Sequence, residues 1–246
     1  MSKRTKSAGE PSSKLLTFSE PRLRFRHSQA IEDPKDGLLL FGPPEQALVD
    51  TRFGVIGTPE GVARMEEWAD RISTVVNADE RVTSSLPFPG FETVFRSPWE
   101  SRARVKLTVD PDELEVTLKN TDPHQRVYNT VEMFASQSER WVKEEDEKVA
   151  LWFVVVPESL WKLCRPQSTI TKAEGITPEV HLSHAKAMEL LRNPDFFDNA
   201  NEAAEKHRYE NHFHNQLKAR LLGSEAVTQL VRESTIVPLS VLEEQG

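Results

Sequence analysis

An imidazole, an ammonium and a carboxamide stand close together near the C-terminus, in His214-Asn-Gln-Leu-Lys218 and Thr228-Gln229. His214 and Lys218 are four residues apart, so on a helix they share a face. Gln229 returns eleven residues after Lys218, past a break at Gly223. Together the three groups can converge on one phosphate. Lysine supplies a point charge, glutamine directional donors, and histidine a donor or a flat ring for base stacking. From spacing alone, an exposed basic helix is the commoner explanation.

Other reactive residues carry weaker signals. His181, His184, His207, His212 and His214 suggest a metal cluster, and His181 and His184 have the i, i+3 spacing that can chelate on a helix. No zinc motif with a Glu accompanies them, and solvated histidines are the ordinary alternative. Cys164 is the single cysteine, so no intramolecular disulfide can form. No base is spaced to activate it, and an inert buried thiol is the expectation. The acidic run Glu144–Glu147 reads as a solvated turn. Gly54-Val-Ile-Gly57 is a fragment of a dinucleotide fingerprint without its third glycine, which favours an ordinary strand-to-helix turn.

These groups sit in a chain of 246 residues with 37% hydrophobic and 28% charged residues. That composition can bury a core and excludes global disorder. No apolar run reaches the roughly 18–20 residues needed to cross a bilayer, and no h-region follows the basic N-terminus. A reduced cytoplasmic setting is the simplest expectation. The net charge of −8 argues against a general nucleic-acid coat protein. The charge is uneven, however. Lys206, Arg208, Lys218, Arg220 and Arg232 face only Glu210 and Glu225 in their stretch, which marks the C-terminal quarter for an anionic ligand.

The positioning elements follow from pattern. Residues 1–14 read as a disordered tail. After Leu15–Phe18, Arg22–Arg26 and Leu38–Phe41 read as short strands, with a turn at Asp33–Gly37, giving a β-rich arm over 15–51. Arg52–Ile56 reads as a buried strand. Thr58, Pro59 and Glu60 then start a helix that buries Val62, Met65, Trp68, Ala69 and Ile72. Phe91–Phe95, Arg104–Val109 and Leu114–Leu118 read as strands. Asp122-Pro123 opens a helix with Val127, Val131, Phe134 and Trp141 on one face. Val149–Val156 is uninterruptedly apolar and predicts a central parallel strand. Glu158–Cys164 reads as a short helix, 165–205 as an insertion or lid with a helical patch at Ala185–Leu191, Ala203–Leu222 as one helix, and Val227–Val231 as a strand. The order predicts an α/β fold of Rossmann-like type.

The stretch from His214 to Val231 resembles the guide 5′-phosphate pocket of the MID domain of Argonaute proteins. That pattern has an aromatic or His, a Lys four residues on, and a Gln about eleven residues later in a Thr-Gln-x-Val context. Phe18-Ser-Glu-Pro-Arg-Leu-Arg-Phe25, Asp33–Leu38, Phe41-Gly-Pro43, Arg52–Gly57, Phe88-Pro-Gly-Phe91 and Phe153–Pro157 fall in the order seen in short prokaryotic Argonautes. The resemblance spans about residues 15 to 246. It implies a Rossmann-like MID domain over 52–246, its parallel sheet flanked by helices, incomplete at its C-terminus and preceded by the β-rich arm. It also implies binding of a short guide nucleic acid, RNA more than DNA, that senses target DNA in defence against plasmids and phage. Lys218 and Gln229 would hold the 5′-phosphate and His214 would meet the first nucleotide. A Mg²⁺ ion at the guide 5′ end is compatible with the family. The implied partner is a TIR or sirtuin-like NAD-degrading effector with an Argonaute-associated segment. The chain ends soon after Gln229, before the family's further pocket Lys and the PIWI domain, which belongs on another chain or a longer one. Weaker affinity and no slicing activity are therefore expected.

Two other function classes fit the residues. One is an inert scaffold that docks a partner protein through its arm and the helix bearing Trp141. The other is a metal-dependent hydrolase built on the His cluster.

Overall fold

A computed structural model describes residues 22–44, 51–77, 87–144, 148–172, 174–178, 180–194, 200–222 and 227–236. The tail 1–14, the Leu15–Phe18 segment and most of the acidic run fall outside them. The chain divides into two compact units, residues 1–45 and 46–246.

The first unit holds an antiparallel hairpin of β1 (Leu23–Arg24) and β2 (Ala30–Ile31), followed by α1 (Pro34–Phe41). The expected turn at Asp33–Gly37 and strand at Leu38–Phe41 are one helix. Asp33 accepts hydrogen bonds from the backbone N–H groups of Lys35 and Asp36, and Pro34 supplies a preset first turn. Gly37 lets the Phe25 ring lie on the helix, because a Cβ there would stand 2.1 Å from that ring. The arm is thus a small hairpin with a helix, less β-rich than its apolar runs suggest.

The second unit is an α/β sandwich. Its sheet contains β3 (Phe53–Gly57), β4 (Val105–Thr108), β5 (Leu151–Val156) and β6 (Val227–Arg232), all parallel, in the order β4-β3-β5-β6. Among the described residues eight further helices connect or flank the strands. They are α2 (Pro59–Arg71), α3 (Phe91–Phe95), α4 (Pro111–Leu118), α5 (Pro123–Glu144), α6 (Glu158–Leu163), α7 (His184–Arg192), α8 (Ala200–Lys206) and α9 (Phe213–Leu221).

Both faces of the sheet are covered, which is why β3 and β5 are apolar throughout. Trp152, Val154 and Val156 point to one face with Val127, Val131, Phe134, Leu160, Phe213, Leu217 and Leu221. Phe153 and Val155 point to the other with Phe53, Val55, Val62, Met65 and Ala69. The glycines of Gly54-Val-Ile-Gly57 have packing roles. A Cβ on Gly54 would lie 2.3 Å from the Trp152 ring, and one on Gly57 or Gly61 would press on Val155 at 3.2 Å or 2.9 Å.

Three further expectations are corrected. Phe91–Phe95 is a helical turn, packed through stacked Phe91 and Trp99 rings 4.3 Å apart. Leu114–Leu118 is the end of α4, whose cap Asp110 accepts from the N–H groups of Asp112 and Glu113. The expected helix over Ala203–Leu222 is two, because the chain leaves the helix after Lys206 and restarts at Phe213. Tyr209 lies in that break, half exposed, and not on the buried stripe.

The long segment between β5 and β6 is tied down by Arg126 of α5, whose side chain is fully buried. Its guanidinium donates to the carbonyls of Leu163 (2.8 Å), Asn120 (2.6 Å) and Ser168 (3.2 Å) and to the Ser168 hydroxyl (2.9 Å). This buried cation is thus held by oxygen dipoles of Leu163, Asn120 and Ser168.

Candidate functional site

β5 and β6 end side by side, and α9 runs antiparallel to β6, so the start of α9 lies at the carboxyl ends of the strands. In open α/β sheets this is the edge where ligands sit. His214 occupies the first turn of α9, and Gln229 lies on β6 opposite Phe153. Both line one cleft of about 300 Å³, with Val156, Trp161, Leu230, Val231, Arg232 and Thr235. Lys218 is not in the lining. It stands one helical turn beyond His214, exposed, and its charge reaches the His214 ring. Gln229 currently donates its amide N–H to the Leu230 carbonyl at 3.0 Å.

Electrostatics separate the bases of the C-terminal stretch. Arg220 clamps Glu132 and Glu139 of α5. Arg232 is bidentate on Glu158 at 2.9 Å and lies over the Trp161 ring at 4.7 Å. Arg208 pairs with Glu205 at 3.0 Å. Among the described residues, Lys218 has no carboxylate partner. The His214 imidazole is held below its ordinary pKa, first by burial and then by the Lys218 and His212 charges. At neutral pH it is therefore an uncharged ring. No side chain caps the start of α9; the Phe213 N–H donates instead to the Cys164 carbonyl at 3.1 Å, and the positive dipole end favours an anion nearby.

A larger crevice of about 690 Å³ opens above β3, where the strand order reverses, lined by Thr58, Glu60, Glu115, Lys119 and Glu233 among others. Its carboxylates make it a poor phosphate site. Glu233 is pushed above the usual carboxylate range by burial, partly offset by Arg64.

Cys164 is buried, 3.8 Å from the Thr130 hydroxyl, and burial pushes its thiol up to about 11. It is inert, as the absence of a spaced base implied. Trp141 packs edge-on against Trp152 at 5.5 Å, so that ring serves the core. Of the histidines singled out by sequence, His184 and His207 come together, joined by His124. His181 lies apart from that group. His212 and His214 form their own pair, ring centroids 6.1 Å apart. Sequence reading missed Trp161 and Thr235 as cleft residues and counted Arg232 only among the bases of the C-terminal stretch. Arg232, three residues after Gln229 on the same strand, was the detectable one.

No protein-family model matches the chain, and no curated protein matches it.

Proposed function

We propose that this chain is the guide-binding part of a short prokaryotic Argonaute: an N-terminal arm and a MID domain that anchors the 5′-phosphate of a short guide nucleic acid. The observation that carries this is that His214, from a helix start, and Gln229, from the middle of β6, line one cleft. The parallel α/β sheet with helices on both faces is the expected setting.

The chemistry follows from the residues. The Lys218 ammonium, which has no carboxylate partner among the described residues, draws the phosphate in. The Gln229 amide turns from the Leu230 carbonyl to donate to a phosphate oxygen. Backbone N–H groups at the start of α9 add to the field. The neutral His214 ring stacks on the first base or donates to it. The described lining residues include no carboxylate, and Glu158, which pairs with Arg232 at the cleft, is already taken, so they do not fit that ion and binding is derived without it. RNA as guide, DNA as target and an NAD-degrading effector as partner belong to the same proposal, as does the absence of slicing. So does a cytoplasmic setting, with which one finding agrees: no described helix is long and apolar enough to cross a membrane.

The test is an anisotropy titration with matched 5′-phosphate and 5′-hydroxyl RNA guides at two salt concentrations. A charge-assisted phosphate contact predicts about tenfold tighter binding of the phosphorylated guide. Lys218→Ala should bring the two guides close to parity and reduce the salt slope by about one. Equal affinities for both guides in the unmutated chain would refute the proposal.

A further inference from the structure

A second cluster lies away from the guide cleft. Asp122 and Pro123 start α5 and place His124 in its first turn, where Asp122 Oδ1 accepts from the N–H groups of His124 (2.8 Å) and Gln125 (3.1 Å). Ser183 caps α7, so His184 is its first residue. His207 follows the last residue of α8 and is buried. Three helix ends thus meet. One ring nitrogen from each histidine lies within 4.8 Å of the other two. The ring centroids are 4.4 Å (His124–His207), 5.3 Å (His124–His184) and 5.9 Å (His184–His207) apart.

We propose that His124, His184 and His207 form a zinc(II) site. Two independent observations point to an ion. First, the His207 side chain is only 3% exposed, yet neither ring nitrogen makes a hydrogen bond. Nε2 is 3.3 Å from Asp122 Oδ2, near enough to pair but poorly aligned. An orphaned buried polar group is costly and calls for a partner. Second, the outer contacts orient the rings. His124 Nδ1 is 3.2 Å from the Tyr209 carbonyl, a hydrogen-bond acceptor only, so Nδ1 carries the proton and Nε2 is left to ligate. Asp122 faces Nε2 of His207, which leaves Nδ1. Carbonyl and carboxylate partners on the far nitrogen are the usual support of metal-bound imidazoles.

Imidazoles without carboxylate ligands suit zinc and not magnesium or calcium. Tetrahedral zinc with bonds of about 2.0–2.1 Å brings ligand nitrogens to roughly 3.3 Å from one another. Rotation of the stacked rings closes the remaining distance. His184 is exposed, so the fourth position opens to solvent. The ion would pin α7 and the end of α8 onto α5, fixing the segment between β5 and β6. This inference does not rest on guide binding.

The test uses the full chain without a histidine tag. Zinc content is measured after dialysis, and cobalt(II) serves as an optical probe of geometry. We expect one zinc per chain, a tetrahedral cobalt spectrum abolished by zinc, and a higher Tm with zinc. His184→Ala, at an exposed position, should keep the fold and lose the metal. Asp122→Asn keeps a capping side chain and should weaken binding by about 10–100-fold. His181→Ala should bind like the unmutated chain. Absence of stoichiometric zinc overturns the site. So does unchanged binding in folded His184→Ala and His124→Ala, or an equal loss in His181→Ala.

Discussion

At the scale of single residues, chemistry follows surroundings more than type. Cys164 and His214 both carry nucleophilic atoms. Burial lifts the thiol to about 11, while the same force lowers the imidazole. The signs differ because burial disfavours whichever form is charged. Cys164 should therefore resist a thiol reagent at pH 8 in the native chain and react promptly once denatured. Fast stoichiometric labelling of the native protein would contradict its buried placement. Residue types near the C-terminus were readable from spacing. The His124–His184–His207 group was not, since two of its members were noticed and the third lies far upstream. No local pattern reports that three helix ends will meet.

At the scale of elements, one rule was legible wherever it was followed. A capping residue before proline starts a helix at Thr58-Pro59 and Asp122-Pro123, and the helices are there. The same signal stands at Asp33-Pro34 and Asp110-Pro111, but the apolar runs after them, Leu38–Phe41 and Leu114–Leu118, imitate strands. In the folded chain the caps prevail, because a satisfied helix start outweighs weak β propensity over so few residues. The central strands β3 and β5 were legible because burial on both faces demands unbroken apolar runs, as Val149–Val156 shows. The break at 207–212 was not, since Tyr209 and Phe213 keep the four-residue spacing across it. Glycine roles also emerge only from neighbours. Gly54→Ala would drive a methyl into the Trp152 ring and should cost about 1–3 kcal/mol in chemical denaturation, with a shifted tryptophan emission. An unchanged midpoint would show that the indole does not rest on Gly54.

For the whole molecule, the histidines set how stability responds to acid. His124 is held low by burial and then by the His207 charge, and His214 by burial and then by Lys218. Both bind a proton more readily in the unfolded chain. Stability should then rise with pH between their folded values and the unfolded value of about 6.5. In chelator-treated buffer, the Tm should fall as pH is lowered from 7.5 to 5.5, and His214→Phe should flatten part of that fall. A Tm that is constant or rises on acidification would contradict the assignment. Carboxylates such as Asp122, held low chiefly by its hydrogen bonds and the His207 charge against the cost of burial, act in a more acidic window.

The strand order carries a consequence for how the chain is made. β3 lies between β4 and β5, and β5 begins at Leu151, long after β3 ends at Gly57. At about 5–20 residues per second, a ribosome needs roughly 5–20 s to supply that neighbour. Until β4 is made both edges of β3 are open, and from then until β5 arrives one edge stays open with its apolar side chains half covered. The strand that brings Gln229 to the cleft is added later still. The newborn protein thus joins β3 to β5 before its cleft is made, and a chaperone that shields β3 would act while nothing of that cleft yet exists.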